Sequence, residues 1–115
     1  MKIKIDFVTN SSSTAYLITN LSNKPKTLVD FVKENPGLID QFRQQYDWYK
    51  KTDGYTQKKL IKSAAKNNID FKPDQTKYCI FGDEQGTLIG QVFDYILRNG
   101  GASESFVWKL EEYLR

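Results

Sequence analysis

The densest set of reactive side chains in this chain is Asn10-Ser11-Ser12-Ser13-Thr14, an amide followed by four hydroxyls. Hydroxyls in a row are candidate nucleophiles, and together with loop amides they are candidate anion ligands. A nucleophile needs a base, and no lysine or carboxylate can be assigned to this cluster from its neighbours. A phosphate loop needs glycines and a lysine, and the segment has neither. Ser, Thr and Asn also compete with the backbone for hydrogen bonds and so favour turns. The segment has three readings: a polar connector, a small anion site made by Asn10, Ser11, Ser12, Ser13 and Thr14, or a recognition or modification segment.

The second concentration is basic. From Arg43 to Lys66 there are seven basic residues against Asp47 and Asp53, a net of +5, whereas the chain from Asp83 onward has six acidic and three basic residues. Lys58, Lys62 and Lys66 recur every four residues with Lys59 beside them, and Trp48 and Tyr55 lie nearby in sequence. Phosphate neutralisation with interleaved base stacking is what single-stranded nucleic acid requires. The alternative is a solvated lysine face.

Absences narrow the chemistry further. The 115 residues include no histidine, which removes Ser-His-Asp and Cys-His catalysis and His-ligated zinc. The single cysteine, Cys79, lies in an apolar run and reads as buried and inert. Asp83 and Glu84 read as charge near a helix start, and Glu111 and Glu112 as solvated surface. No catalytic residue, metal site or cofactor is expected. Lys2, Lys4 and Asp6 interrupt the N-terminal apolar run, and no run reaches membrane-spanning length, so a cytoplasmic protein without a membrane partner is expected.

The elements that would position these residues follow from periodicity. Residues 3–8 alternate Ile3, Ile5, Phe7 against Lys4, Asp6 as a half-buried strand, and residues 15–18 form a second, continuous apolar strand. Thr27 caps a short helix bearing Leu28, Phe31 and Val32, which ends before Pro36. Asn35 and Pro36 open a second helix with Leu38, Ile39, Phe42, Tyr46 and Tyr49 on one face. Thr56 caps a third, with Leu60, Ile61, Ala64 and Ala65 inward and the lysines outward. Residues 69–72 and 77–81 read as strands. A fourth helix carries Leu88, Ile89, Val92, Phe93, Ile96 and Leu97 nearly all round and should be the most buried. Residues 104–114, with Phe106, Val107, Leu110, Tyr113 and Leu114, read as a last helix. The expectation is a single α+β domain over 1–115. It would have a small, mainly antiparallel sheet, made of the N-terminal strand pair plus one or two later strands, packed with about five helices.

Phe7-Val8-Thr9-Asn10-Ser11-Ser12-Ser13-Thr14-Ala15-Tyr16 resembles the N-terminal motif of a loose group of uncharacterised small phage and prokaryotic proteins. Those open with Phe-Val-x-Asn-Ser-Ser-Ser, further Ser or Thr, and an aromatic residue. The resemblance covers about ten residues and supplies no catalytic residues. It implies a phage or mobile-element accessory protein. The expected function is therefore non-enzymatic binding of another macromolecule, first a protein. A nucleic acid on region 43–66 is the alternative, and a small enzyme or anion-binding protein using residues 10–14 is the second. Homo-oligomerisation is left open.

Overall fold

A computed structural model describes residues 13–46, 54–67, 69–82 and 87–114. The chain is α+β, and the strand pairs among the described residues are all antiparallel. Strand β1 (Ser13–Asn20) is followed by the short β2 (Lys26–Thr27), then α1 (Leu28–Glu34), α2 (Gly37–Tyr46) and α3 (Gln57–Asn67). Next come β3 (Asp70–Phe71), β4 (Thr76–Gly82), α4 (Leu88–Ile96), β5 (Gly101–Ala102) and β6 (Phe106–Leu114). The main sheet has the order β4-β1-β6-β5, and β2 and β3 form a separate two-stranded ribbon. The expected strand over 3–8 lies outside the described residues.

Alternation along β1 sorts the sheet into two faces. Thr14, Tyr16, Ile18 and Asn20 point to one face and are all fully buried. Phe81 and Cys79 join them from β4, and Phe106 and Trp108 from β6. Helices α1 and α4 pack here. Phe31 of α1 meets Phe106 and Trp108 edge-on at 5.1 and 5.0 Å, and Phe93 of α4 meets Phe81 at 5.2 Å. Helix α3 packs on α1 and α4, and α2 on α4. Burying such aromatic side chains contributes roughly 1.5–3 kcal/mol each, with edge-to-face geometry adding to it.

The helix boundaries obey their caps. The Thr27 hydroxyl accepts the Asp30 N–H while the Asp30 carboxylate accepts the Thr27 N–H at 2.9 Å, closing a capping box on α1. Thr56 accepts the Lys59 N–H at the start of α3, and Thr87 accepts the Gly90 N–H at the start of α4. Six of the nine residues of α4 are buried, the densest burial of the four helices described.

Three expectations are corrected. Residues 104–114 are not a helix: 106–114 form β6, paired with β1 from Asn20↔Phe106 to Ser13↔Leu114. Four helices are therefore found among the described residues, not five. The apolar residues 106, 107, 110, 113 and 114 fit a helical stripe, but Phe106, Trp108 and Leu110 fit a strand equally well. The open edge of β1 decides between them by pairing the whole segment. A bulge at Glu111 shifts the register between Ala15 and Tyr16. The second correction is that the polar segment does not remain a loop through residue 14, because Ser13 and Thr14 already belong to β1. Ala65, expected inward, is exposed.

The turn into β6 depends on two glycines. Gly100 has φ +73°, a conformation that side chains resist. A Cβ on Gly101 would stand 2.5 Å from the Trp108 indole, so the ring lies flat on the β5 backbone.

Candidate functional surfaces

The hydroxyl cluster is reached first through the residues that are described. Thr14 is fully buried on the helix-covered face, and its hydroxyl donates to the Asp94 carboxylate at 2.5 Å. Tyr16 OH and Arg98 Nε both donate to the Asp94 carbonyl, each at 2.8 Å. Arg98 Nη2 donates to the Asp94 carboxylate at 3.3 Å, and the guanidinium lies over the Tyr95 and Tyr113 rings at 4.7 and 5.0 Å. Burial holds the Tyr16 phenol well above its ordinary pKa, which its Arg98 neighbour only partly offsets. Burial works against the Arg98 charge, but the adjacent Asp94 carboxylate outweighs it and raises the pKa. The arrangement clamps α4 to β1 with a charged pair whose members are hydrogen-bonded on several sides. It leaves Thr14 engaged rather than poised for attack. Ser13 is also buried, and Asn10, Ser11 and Ser12 lie outside the described residues.

Cys79 is buried on the same face, and burial pushes its thiol up to about 11. A thiol held protonated in this way is a poor nucleophile.

The lysines come together differently from the expected row. Lys58, Lys59, Lys62 and Lys66 are all exposed on α3, but the groove between α3 and the start of α4 takes Lys59, Lys62 and Lys66. On an α-helix, residues i and i+7 differ by only about 20° around the axis, whereas i and i+8 differ by about 80°. The i, i+3, i+7 set therefore lines one groove, and Lys58 is carried off to the side. The groove has a volume of ≈ 470 Å³, with Gly54, Ser63, Thr87 and Leu88 as its other walls. The Ser63 hydroxyl oxygen accepts the Ile89 N–H at 3.1 Å, tying α3 to the first turn of α4. Among the described residues the ion pairs are Lys26–Glu34 and Arg98–Asp94, and none involves a groove lysine.

Of the two aromatics expected beside the lysines, the one described is committed elsewhere. Tyr55 stacks on Phe42 at 5.4 Å and 4°, and its hydroxyl donates to Gln91 at 2.6 Å, so its ring is committed to packing α2 and α4. Trp48 lies outside the described residues, as do Asp83 and Glu84.

A second surface escaped the sequence reading. The sheet face opposite α1 and α4 is built in register from Leu17 beside Tyr78 and Lys109, Ala15 beside Ile80 and Glu112, and Thr19 beside Thr76 and Val107. Tyr78, Ile80 and Val107 are 48%, 41% and 38% exposed, which marks the face as apolar and open to solvent. Tyr78 OH donates to Glu112 at 2.6 Å, a bond that keeps its phenol protonated to higher pH. To make it, the ring crosses over β1, and Ala15 beneath is fully buried. A shallow depression of ≈ 260 Å³ beside it is lined by Leu17, Thr19, Thr76, Val107, Trp108 and Lys109. The signal was present in the alternation of Tyr78 and Ile80 about Cys79, but reading 104–114 as a helix hid the partner strand.

Among the described residues no helix is long and apolar enough to cross a membrane, and no group of His, Cys, Asp and Glu could hold a metal ion. Comparison with protein-family models, with curated proteins and with solved structures finds no match.

Proposed function

We propose that this chain acts by binding a protein partner on the open face of its main sheet, without turnover of its own. The observation that carries the reading is the strip of exposed Tyr78, Ile80 and Val107 around Leu17, bordered by Lys109 and Glu112. Apolar centres with a charged rim are the common anatomy of protein interfaces, and large exposed apolar side chains gathered on one face of a sheet mark such sites. The Tyr78–Glu112 hydrogen bond holds the aromatic ring in one position, so a partner meets a preformed surface. The resemblance of residues 7–16 would set this binding in a phage or mobile-element context, in the cytoplasm.

The test is photocrosslinking from position 80 or 107 in producing cells, followed by mass spectrometry. One discrete protein should be captured, and Ile80→Lys with Val107→Lys should abolish capture while leaving circular dichroism unchanged. Capture of the same protein by the double variant would refute the reading. Crosslinks only between copies of the chain would replace it with self-association.

A further inference from the structure

The lysine groove is separate from the sheet face, and its charge is unmatched. Lys59, Lys62 and Lys66 have no carboxylate partner among the described residues. Like charges three and four residues apart repel. Lys58 and Lys59 also stand in the first turn of α3, which has no acidic residue, and so oppose the helix dipole. An anion in the groove would offset both.

Volume and donor type narrow the anion. The ≈ 470 Å³ of the groove falls inside the roughly 300–1,000 Å³ of small-ligand sites. Its cationic walls are lysines, compact point charges that suit phosphate oxygens; planar carboxylates are better met by the arginine fork. One carboxylate would answer only a third of the charge, whereas linked phosphates answer most of it. Ser63 and Thr87 accept backbone N–H groups through their hydroxyl oxygens, which leaves each its own hydrogen to donate. A polymer would need the row to continue and aromatics to stack on. Lys58 turns away from the groove, and Tyr55 is engaged with Phe42 and Gln91.

We propose that the groove of Lys59, Lys62, Ser63, Lys66 and Thr87 binds a small oligophosphate anion, of the pyrophosphate and tripolyphosphate class. The experiment is calorimetric titration of the full chain with sodium tripolyphosphate at low ionic strength. Saturable binding at one site is expected. It should weaken by roughly tenfold or more in the Lys59→Ala, Lys62→Ala, Lys66→Ala triple variant, and stay unchanged in Lys109→Ala on the opposite sheet face. Tripolyphosphate should also raise the Tm of the native protein and not that of the triple variant. If the triple variant fails to fold, Lys62→Glu alone carries the comparison. Absence of saturable binding overturns the proposal, as does equal binding by native and triple variant. Tighter binding of oligothymidylate or polyglutamate than of tripolyphosphate overturns it too, by making the groove a polymer surface. So does binding that emerges only with Asp83→Asn and Glu84→Gln, which would show that the chain neutralises its own lysines.

Discussion

Charge is handled in opposite ways at the two polar centres of this molecule. Around Asp94 a fully buried carboxylate is met by a guanidinium and the Thr14 hydroxyl, while its own carbonyl accepts from Tyr16 and Arg98. Around Lys62 three ammonium groups share a groove without an anion among the described residues. The difference follows from solvent. A buried charge is tolerated only with partners on every side, whereas water stabilises an exposed ammonium well enough to leave it available. Charged residues alone therefore do not mark a binding site. Thr14 and Asp94 belong to the fold, and the lysines are the ones free to act on something else.

The sharpest way to break this contrast is Asp94→Ala. It removes the acceptor of Arg98 Nη2 and of the buried Thr14 hydroxyl while the backbone carbonyl still holds Arg98 Nε, and should destabilise the protein by about 3 kcal/mol, the upper end for losing hydrogen bonds to a charged group. Urea denaturation measures it. Thr14→Val, which removes only one hydrogen bond, should lose about 1–2 kcal/mol. If both changes are tolerated, the Asp94 cluster is not the structural clamp described.

Gly101→Ala calibrates these losses against pure packing. The added methyl would press on the Trp108 ring, which is fixed by Phe31, so about 1–3 kcal/mol should be lost through overpacking. A lower Tm with oligophosphate binding retained is the expected pattern.

Glu34 lies between the two extremes. Burial works to raise its pKa. Hydrogen bonds from the Ser105 N–H at 2.9 Å and the Ser103 hydroxyl at 2.8 Å, with Lys26 at 4.0 Å, outweigh that and hold it below the ordinary 4.5. A folded pKa below the unfolded one stabilises the protein above the unfolded value, and this contribution fades as pH falls from 4.5 through the folded pKa. Glu34→Gln should therefore be less stable at neutral pH and show a shallower acid limb in melts taken across that window. An unchanged acid limb would show that this contact is not coupled to folding.

The smallest expected effect on stability belongs to the lysines. Replacing Lys59, Lys62 and Lys66 with alanine removes like-charge pairs and should leave Tm unchanged or raise stability by about 0.5 kcal/mol. A clear loss of stability would place these side chains in the fold after all and erase the contrast with Asp94.

What the sequence determined by itself is what local chemistry controls. Thr27 and Thr56 can each reach the next turn of backbone, so the starts of α1 and α3 were legible, and Thr87 plays the same part for α4. Apolar residues all round α4 left it no choice but burial. A continuous apolar run identified β1, and the apolar run around Cys79 identified β4. Tertiary structure alone decided the rest. Phe106, Val107, Trp108, Leu110, Tyr113 and Leu114 satisfy both periods, and only the free edge of β1 made them a strand. That pairing in turn created the open sheet face. Thr14 read as loop polarity until Asp94, eighty residues away, gave its hydroxyl a buried partner. Tyr55 read as a spare aromatic until Phe42 and Gln91 claimed it. The lysine spacing was legible, but which three would share a groove depended on where α4 begins, because a helix face becomes a site only when a second element stands against it.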